Sequence, residues 1–236
     1  MPPTETLVPA AVLVVAALIA GGLYFRSRSV KPLTEKDTIV LADFVNTTGD
    51  PVFDDTLRKA LAVELGQSPF LNVLPDERAR QTLKLMGKSP GERITSEIGR
   101  EICQRRGVKV LLASSIATLG SQYVITLDAV NASSGDTLGE VQAQADSKEH
   151  VLKAIDQAAG QLRSKLGESL ASIRKFDKPL QEATTTSLEA LKAFTLGDAK
   201  HSIGDEFGSI PLYRRAVELD ANFAMAYARL GTVYGI

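Results

Sequence analysis

The residues best suited to chemistry lie close together near the start of the chain. In "VLADFVNTTGDPVFDD", Val40 to Asp55, four aspartates (Asp43, Asp50, Asp54 and Asp55) fall between an apolar run and a helical pattern. Carboxylates grouped like this can serve a metal or phosphate site. Helix chemistry accounts for three of them. Asp50 precedes Pro51 and reads as an N-cap with proline in the first helical position. Asp54 and Asp55 then fall in the first turn, where negative charge meets the positive end of the helix dipole. Asp43 remains, near the C-terminal end of a strand, where open α/β sheets often bind ligands, and Asn46 stands beside it in the turn. These two are the candidate ligand residues.

Other reactive groups are sparse. His150 and His201 are far apart on helical segments and offer neither a metal pair nor a base beside a nucleophile. Cys103 is the one cysteine, which excludes an internal disulfide and a cysteine zinc cluster; it falls in a helical stripe beside Ile102, as a packing thiol does. No "GxxxxGK" phosphate loop, "HRD" loop or "DFG" is present. The chain is therefore expected to be a non-enzyme with no catalytic residue, metal or cofactor. Lys+Arg 27 against Asp+Glu 28 gives no global field to recruit nucleic acid. The basic stretch from Arg78 to Lys109 reads as solvated helix faces.

The elements that would position Asp43 alternate in type. With 236 residues and 44% hydrophobic content, the chain can build one or two ordinary domains. "TIVLADFV" reads as a buried strand, and the helix from Pro51 is striped by Phe53, Leu57, Leu61 and Leu65. "FLNVLP" is a second strand, and Ala79, Leu83 and Met86 stripe the next helix. Thr95 caps a third helix, which Gly107 ends. "VKVLLASSIATL", "QYVITLDAV" and "TLGEVQAQA" are strands, the first two joined at Gly120-Ser121 and the last wet on its Glu140, Gln142 and Gln144 face. One long helix is expected from His150 to Ile173, with Ile155, Leu162, Leu166 and Leu170 over the sheet. Residues 38–173 thus form an α/β domain with a mixed sheet.

After a polar linker, 174–187, residues 188–236 contain an internal repeat. Leu196-Gly197 recurs as Leu230-Gly231 at a spacing of 34, the tetratricopeptide period. Tyr213 and Ala216 fall at second-helix contact positions, and Tyr227, Leu230, Gly231 and Tyr234 match the first helix of a second copy. Here a glycine lets two helices approach and aromatics fill the groove beside it. The sequence reads as one full repeat and a truncated second, a segment that binds protein partners on its concave face.

Before the α/β region come a tail, 1–6, an apolar run, 7–25, and a linker, 26–37. "LVPAAVLVVAALIAGGLYF", Leu7 to Phe25, carries no charge and as a helix would span about 28 Å, close to the hydrocarbon thickness of a bilayer. Arg26, Arg28 and Lys31 follow it, while Glu5 and no basic residue precede it, unlike a cleavable signal peptide. It reads as a single-pass anchor in an inner (plasma) membrane. The positive-inside rule alone places the rest of the chain in the cytoplasm. Ala17, Gly21 and Gly22 offer a surface on which two spans could pack as a homodimer.

"TIVLADFVNTTGDPVFDDTLRKALAVELGQSPFLNVL" and "EICQRRGVKVLLASSIATLGSQYVITLDAVNASSGDTL" resemble the TolB amino-terminal-like domain, with its "FxNxxGD" turn and "GVxxLLxGSI" strand. Followed by tetratricopeptide repeats and preceded by one span, the arrangement is similar to the C-terminal half of bacterial eukaryotic-like serine/threonine protein kinases, over residues 7–236. The resemblance implies a bacterial, membrane-anchored sensory or protein-interaction module with its kinase domain absent from this chain and its soluble part extracytoplasmic. The alternative is an envelope scaffold or assembly factor that works through its repeats without a kinase.

Overall fold

The computed structural model describes residues 37–235, which belong to one compact unit, Leu33–Ile236. The apolar run Leu7–Phe25 lies outside the described residues, and among the described ones no helix is long and apolar enough to cross a membrane.

A mixed sheet forms the centre. Its path runs β3-β1-β4-β5-β6, with β1 (Asp37–Leu41), β3 (Leu71–Val73), β4 (Val110–Leu119), β5 (Gln122–Asn131) and β6 (Thr137–Ala145); the short β2 (Val45–Asn46) pairs with β4 off this path. β1 is parallel to both β3 and β4, whereas β4, β5 and β6 form an antiparallel meander. Helices α1 (Thr56–Gly66), α2 (Asp76–Leu85) and α3 (Ser96–Arg106) make the crossovers, and α4 (Val151–Lys165) follows β6.

The two faces of β1 explain its unbroken apolar sequence. Ile39 and Leu41 enter one core with Leu57, Leu61 and Leu65 of α1 and Ile155 and Leu162 of α4. Val40 and Ala42 enter another with Leu83 of α2 and Ile102 and Cys103 of α3. Strands covered on both faces need no polar alternation. On β6, Val141 and Ala145 are buried while Glu140, Gln142 and Gln144 are exposed, the one-sided burial that alternation predicts.

Three expected elements differ. "TIVLADFV" is two strands, because Asp43 turns its N–H from β4 to Ile94 O and ladder pairing resumes at Val45. The helix expected from Pro51 is a 3-10 turn, Pro51–Phe53, followed by α1. Asp50 caps the turn, its side chain accepting from the Val52 N–H, but Asp54 is extended and Asp55 is left-handed at φ 57°. These two therefore lie between helices and not in a first turn. The helix expected from His150 to Ile173 breaks after α4, where Gly167 adopts φ 111° and Ser169 caps α5 (Leu170–Phe176). Leu170 consequently points to solvent.

The segment 174–187 contains α6 (Leu180–Ala183), and Leu180 is buried in the same core as α1 and α4. Helices α7 (Leu188–His201), α8 (Glu206–Leu219) and α9 (Ala224–Val233) complete the chain. Leu188, Leu191, Phe194, Tyr213, Phe223 and Ala226 extend that core without a break.

Candidate functional site

Asp43 and Asn46 have separate surroundings. The Asp43 N–H donates to Ile94 O at 2.8 Å, and the Ile94 N–H returns a bond to Asp43 Oδ2 at 2.6 Å. Arg58 Nε of α1 lies 3.2 Å from Asp43 Oδ1, and its Nη2 reaches Asp76 Oδ1 of α2 at 2.7 Å. Burial raises the Asp43 pKa against the opposing pull of Arg58 and the Ile94 N–H. At Asp76 the Arg58 charge and hydrogen bond overcome burial, and the pKa is lowered. Asn46 spends its amide on the turn. Its Nδ2 donates to Asp50 O and Asp54 Oδ1, both at 2.9 Å, and its Oδ1 accepts from the Thr48 N–H and hydroxyl. It is a turn-holding residue with no free polar atom.

Asp43 lines a cleft of about 180 Å³ at the end of β1, and Asn46 does not. The walls come from α1, α2, the 90–94 loop and α7. Across it Lys59 Nζ of α1 meets Asp198 Oδ2 of α7 at 2.5 Å and lies 5.4 Å from the centre of the Phe194 ring. Leu196, expected in helix packing, is instead 43% exposed and lines this cleft.

Asp198 also ties the last three helices together. Tyr213 donates its hydroxyl to Asp198 Oδ1 at 2.8 Å, and Arg229 Nε of α9 lies 3.0 Å from the same oxygen. Burial, then the Asp198 carboxylate, pushes the Tyr213 phenol's pKa up, so it remains a donor. The Tyr213 ring rests on Gly197, where a Cβ would come within 2.7 Å of two ring carbons. Tyr213 and Ala216 are fully buried. At the second copy the same residue types meet open space. A Cβ on Gly231 would touch nothing within 4 Å, Leu230 is partly buried, and Tyr227 and Tyr234 are 50% and 45% exposed.

A buried ionic cluster escaped the sequence reading. Arg163 of α4, fully buried, holds Glu168 through two bonds of 2.9 and 3.0 Å, pairs with Asp177, and lies 3.6 Å from Glu64 Oε1 of α1. Ser68 and Ser172 also donate to Glu168. Burial, then a hydrogen bond to Asp177 and the charge of Asp156, raises the Glu64 pKa to about 8. Its Oε1 accepts no hydrogen bond. The available signal was Gly167-Glu168-Ser169, a helix break and N-cap inside the apparent stripe. Both histidines have carboxylate partners, Asp146 for His150 and Glu206 for His201. Among the described residues no group of three or more His, Cys, Asp or Glu is placed to hold a metal ion.

No family profile matches the chain, and none of the curated proteins matches it in sequence. Solved structures show partial likeness. The LpoB C-terminal domain from Salmonella enterica is 12% identical over 51% of this chain and 87% of that one, with a TM-score of 0.44. Lipoprotein GNA1162 from Neisseria meningitidis is 16% identical over 46% of this chain and 79% of that one, with a TM-score of 0.39. TolB from Acinetobacter baumannii is 11% identical over 58% of this chain but only 30% of its own, with a TM-score of 0.38. At such identities and scores, function has to be read from the residues themselves.

Proposed function

We propose that the chain is a non-catalytic protein-interaction module, an envelope scaffold or assembly factor whose α/β body presents α9 to an amphipathic helix of a partner protein. The carrying observation is the pair Gly197 and Gly231. At the first, the ring of an adjoining helix closes on a bare Cα; 34 residues later the same glycine, flanked by Tyr227 and Tyr234, is covered by none of the described residues. A helix bringing an aromatic residue to Gly231 and a small one a turn later would reproduce the Tyr213–Ala216 contact, with α7–α9 acting as tetratricopeptide-type helices. Membrane attachment through Leu7–Phe25, with the soluble part outside the cytoplasm, rests on the sequence and its family resemblance. The scaffold role requires no kinase.

The chain's own α8 sequence, Glu206–Leu219, is the probe. Added as a synthetic peptide to the isotope-labelled protein in micelles, it should shift the amide resonances of Tyr227, Gly231 and Tyr234, and Gly231→Leu should abolish the effect. Shifts that are absent, or that persist in Gly231→Leu, would overturn the proposal.

A further inference from the structure

The charges around the Asp43 cleft can be matched one by one. Arg58 takes Asp43 and Asp76, Lys59 takes Asp198, and Lys88 takes Glu92 at 2.9 Å. Two lining charges are left without an ion pair, Arg80 of α2 and Asp55 at the start of α1. The Arg80 charge is felt at Asp76, one helical turn away, but Arg80 Nε is buried and has no hydrogen-bond partner. A buried, charged N–H without an acceptor is destabilising, and a guanidinium fork is shaped for an oxyanion of two coplanar oxygens.

Asp55 is the complementary feature. It is the only non-glycine residue with positive φ among those described, and its carboxylate makes no capping bond although it stands at a helix start. The left-handed conformation is unfavourable for an L-residue. Strained residues of this kind gather at ligand sites. The exposed Asp55 lines the cleft and does not close on its own helix.

We infer that this cleft binds a small zwitterion of the α-amino-acid type, its carboxylate on the Arg80 guanidinium and its ammonium on Asp55. A simple anion would satisfy Arg80 but bring further negative charge beside Asp55 and Asp43, whose own pKa Asp55 already helps to raise. A simple cation would leave Arg80 orphaned. A zwitterion answers both without changing the net charge of the site. The cleft, at about 180 Å³, has room for roughly six waters at ~30 Å³ each, the scale of an amino acid and well below the pockets of drug-sized ligands. Leu196, Ala199 and Pro90 give its wall an apolar part for a short side chain.

The test is a calorimetric and NMR titration of the full chain in micelles with L-alanine, acetate, methylamine and inorganic phosphate, following the Arg80 Nε–H resonance. L-Alanine should bind saturably, at least about tenfold more tightly than the other three, and move the Arg80 signal. Arg80→Gln should abolish binding and Asp55→Asn weaken it about tenfold, with both variants folding normally because neither side chain is in the core. Acetate or phosphate binding as well as alanine, no binding of alanine at about 10 mM, or alanine binding unchanged in Arg80→Gln would overturn the inference. A null result here leaves the α9 proposal untouched, since the two sites share no residue.

Discussion

The ring of Tyr213 lies directly on the Cα of Gly197, so the spacing between α7 and α8 is set by a side chain that is not there. A Cβ at Gly197 would need the ring to retreat, and the ring is held in place by the Asp198 bond and by Phe194, 5.6 Å away between centroids.

Gly197→Ala is therefore expected to destabilise the fold by about 1–3 kcal/mol through overpacking. Gly231→Ala, with nothing within 4 Å of the new carbon, should be neutral or stabilise by about 0.5–1 kcal/mol through helix propensity. Urea midpoints of the two variants measure the contrast; equal effects would contradict it.

Asp43→Asn should destabilise by about 1–3 kcal/mol. The carboxylate accepts from the Ile94 N–H on one oxygen and pairs with Arg58 on the other, and the amide turns one acceptor into a donor facing a donor. Asn46→Ala should unfasten the 46–54 turn, with loss of amide protection at Thr48, whose N–H bonds to the Asn46 oxygen. Hydrogen exchange reads this directly.

Glu64 gives a pH dependence of defined sign. Its pKa is raised in the fold from an ordinary 4.5 to about 8, so the folded chain keeps a proton that the unfolded chain releases. Its share of the stability is full below pH 4.5 and falls as pH rises, by up to about 1.4 kcal/mol per unit, levelling off above pH 8. Asp156 and Asp177 face it with like charge, and Arg163 opposes them. Glu64→Gln should remove this part of the slope. Urea midpoints at a series of pH values test it, and identical slopes in parent and variant would refute it.

Cys103 is fully buried, and burial pushes its thiol up to about 12. Modification by a thiol reagent at neutral pH should proceed only through unfolding and accelerate in urea in step with the unfolded fraction.

Much of the fold could be read from pattern. Strand and helix types followed from periodicity because each element has a definite buried face, and the Gly120-Ser121 hairpin declared itself by composition. What escaped depends on contacts between distant residues. Arg163 looks like an ordinary helical charge until the fold brings Glu64 beside it, and its need for Glu168 fits the break of a helix the apolar stripe would have continued. Asp55 likewise looked like a favourable first-turn charge, whereas its backbone leaves the helix altogether. The opening cluster of four aspartates thus resolves into a cap at Asp50, a turn partner at Asp54, and two cleft residues, Asp43 and Asp55.

The apolar cluster that runs unbroken from β4 through α1 to Phe223 and Ala226 also has a mechanical meaning. With Lys59 clasping Asp198 across the same junction, the sheet and the last helices should melt in a single transition. Any ligand that binds only the folded chain would then stabilise the sheet and the last helices together. The described part of the chain should therefore respond to load as a stiff handle and not as beads on a string, because one core joins its sheet to its last helix.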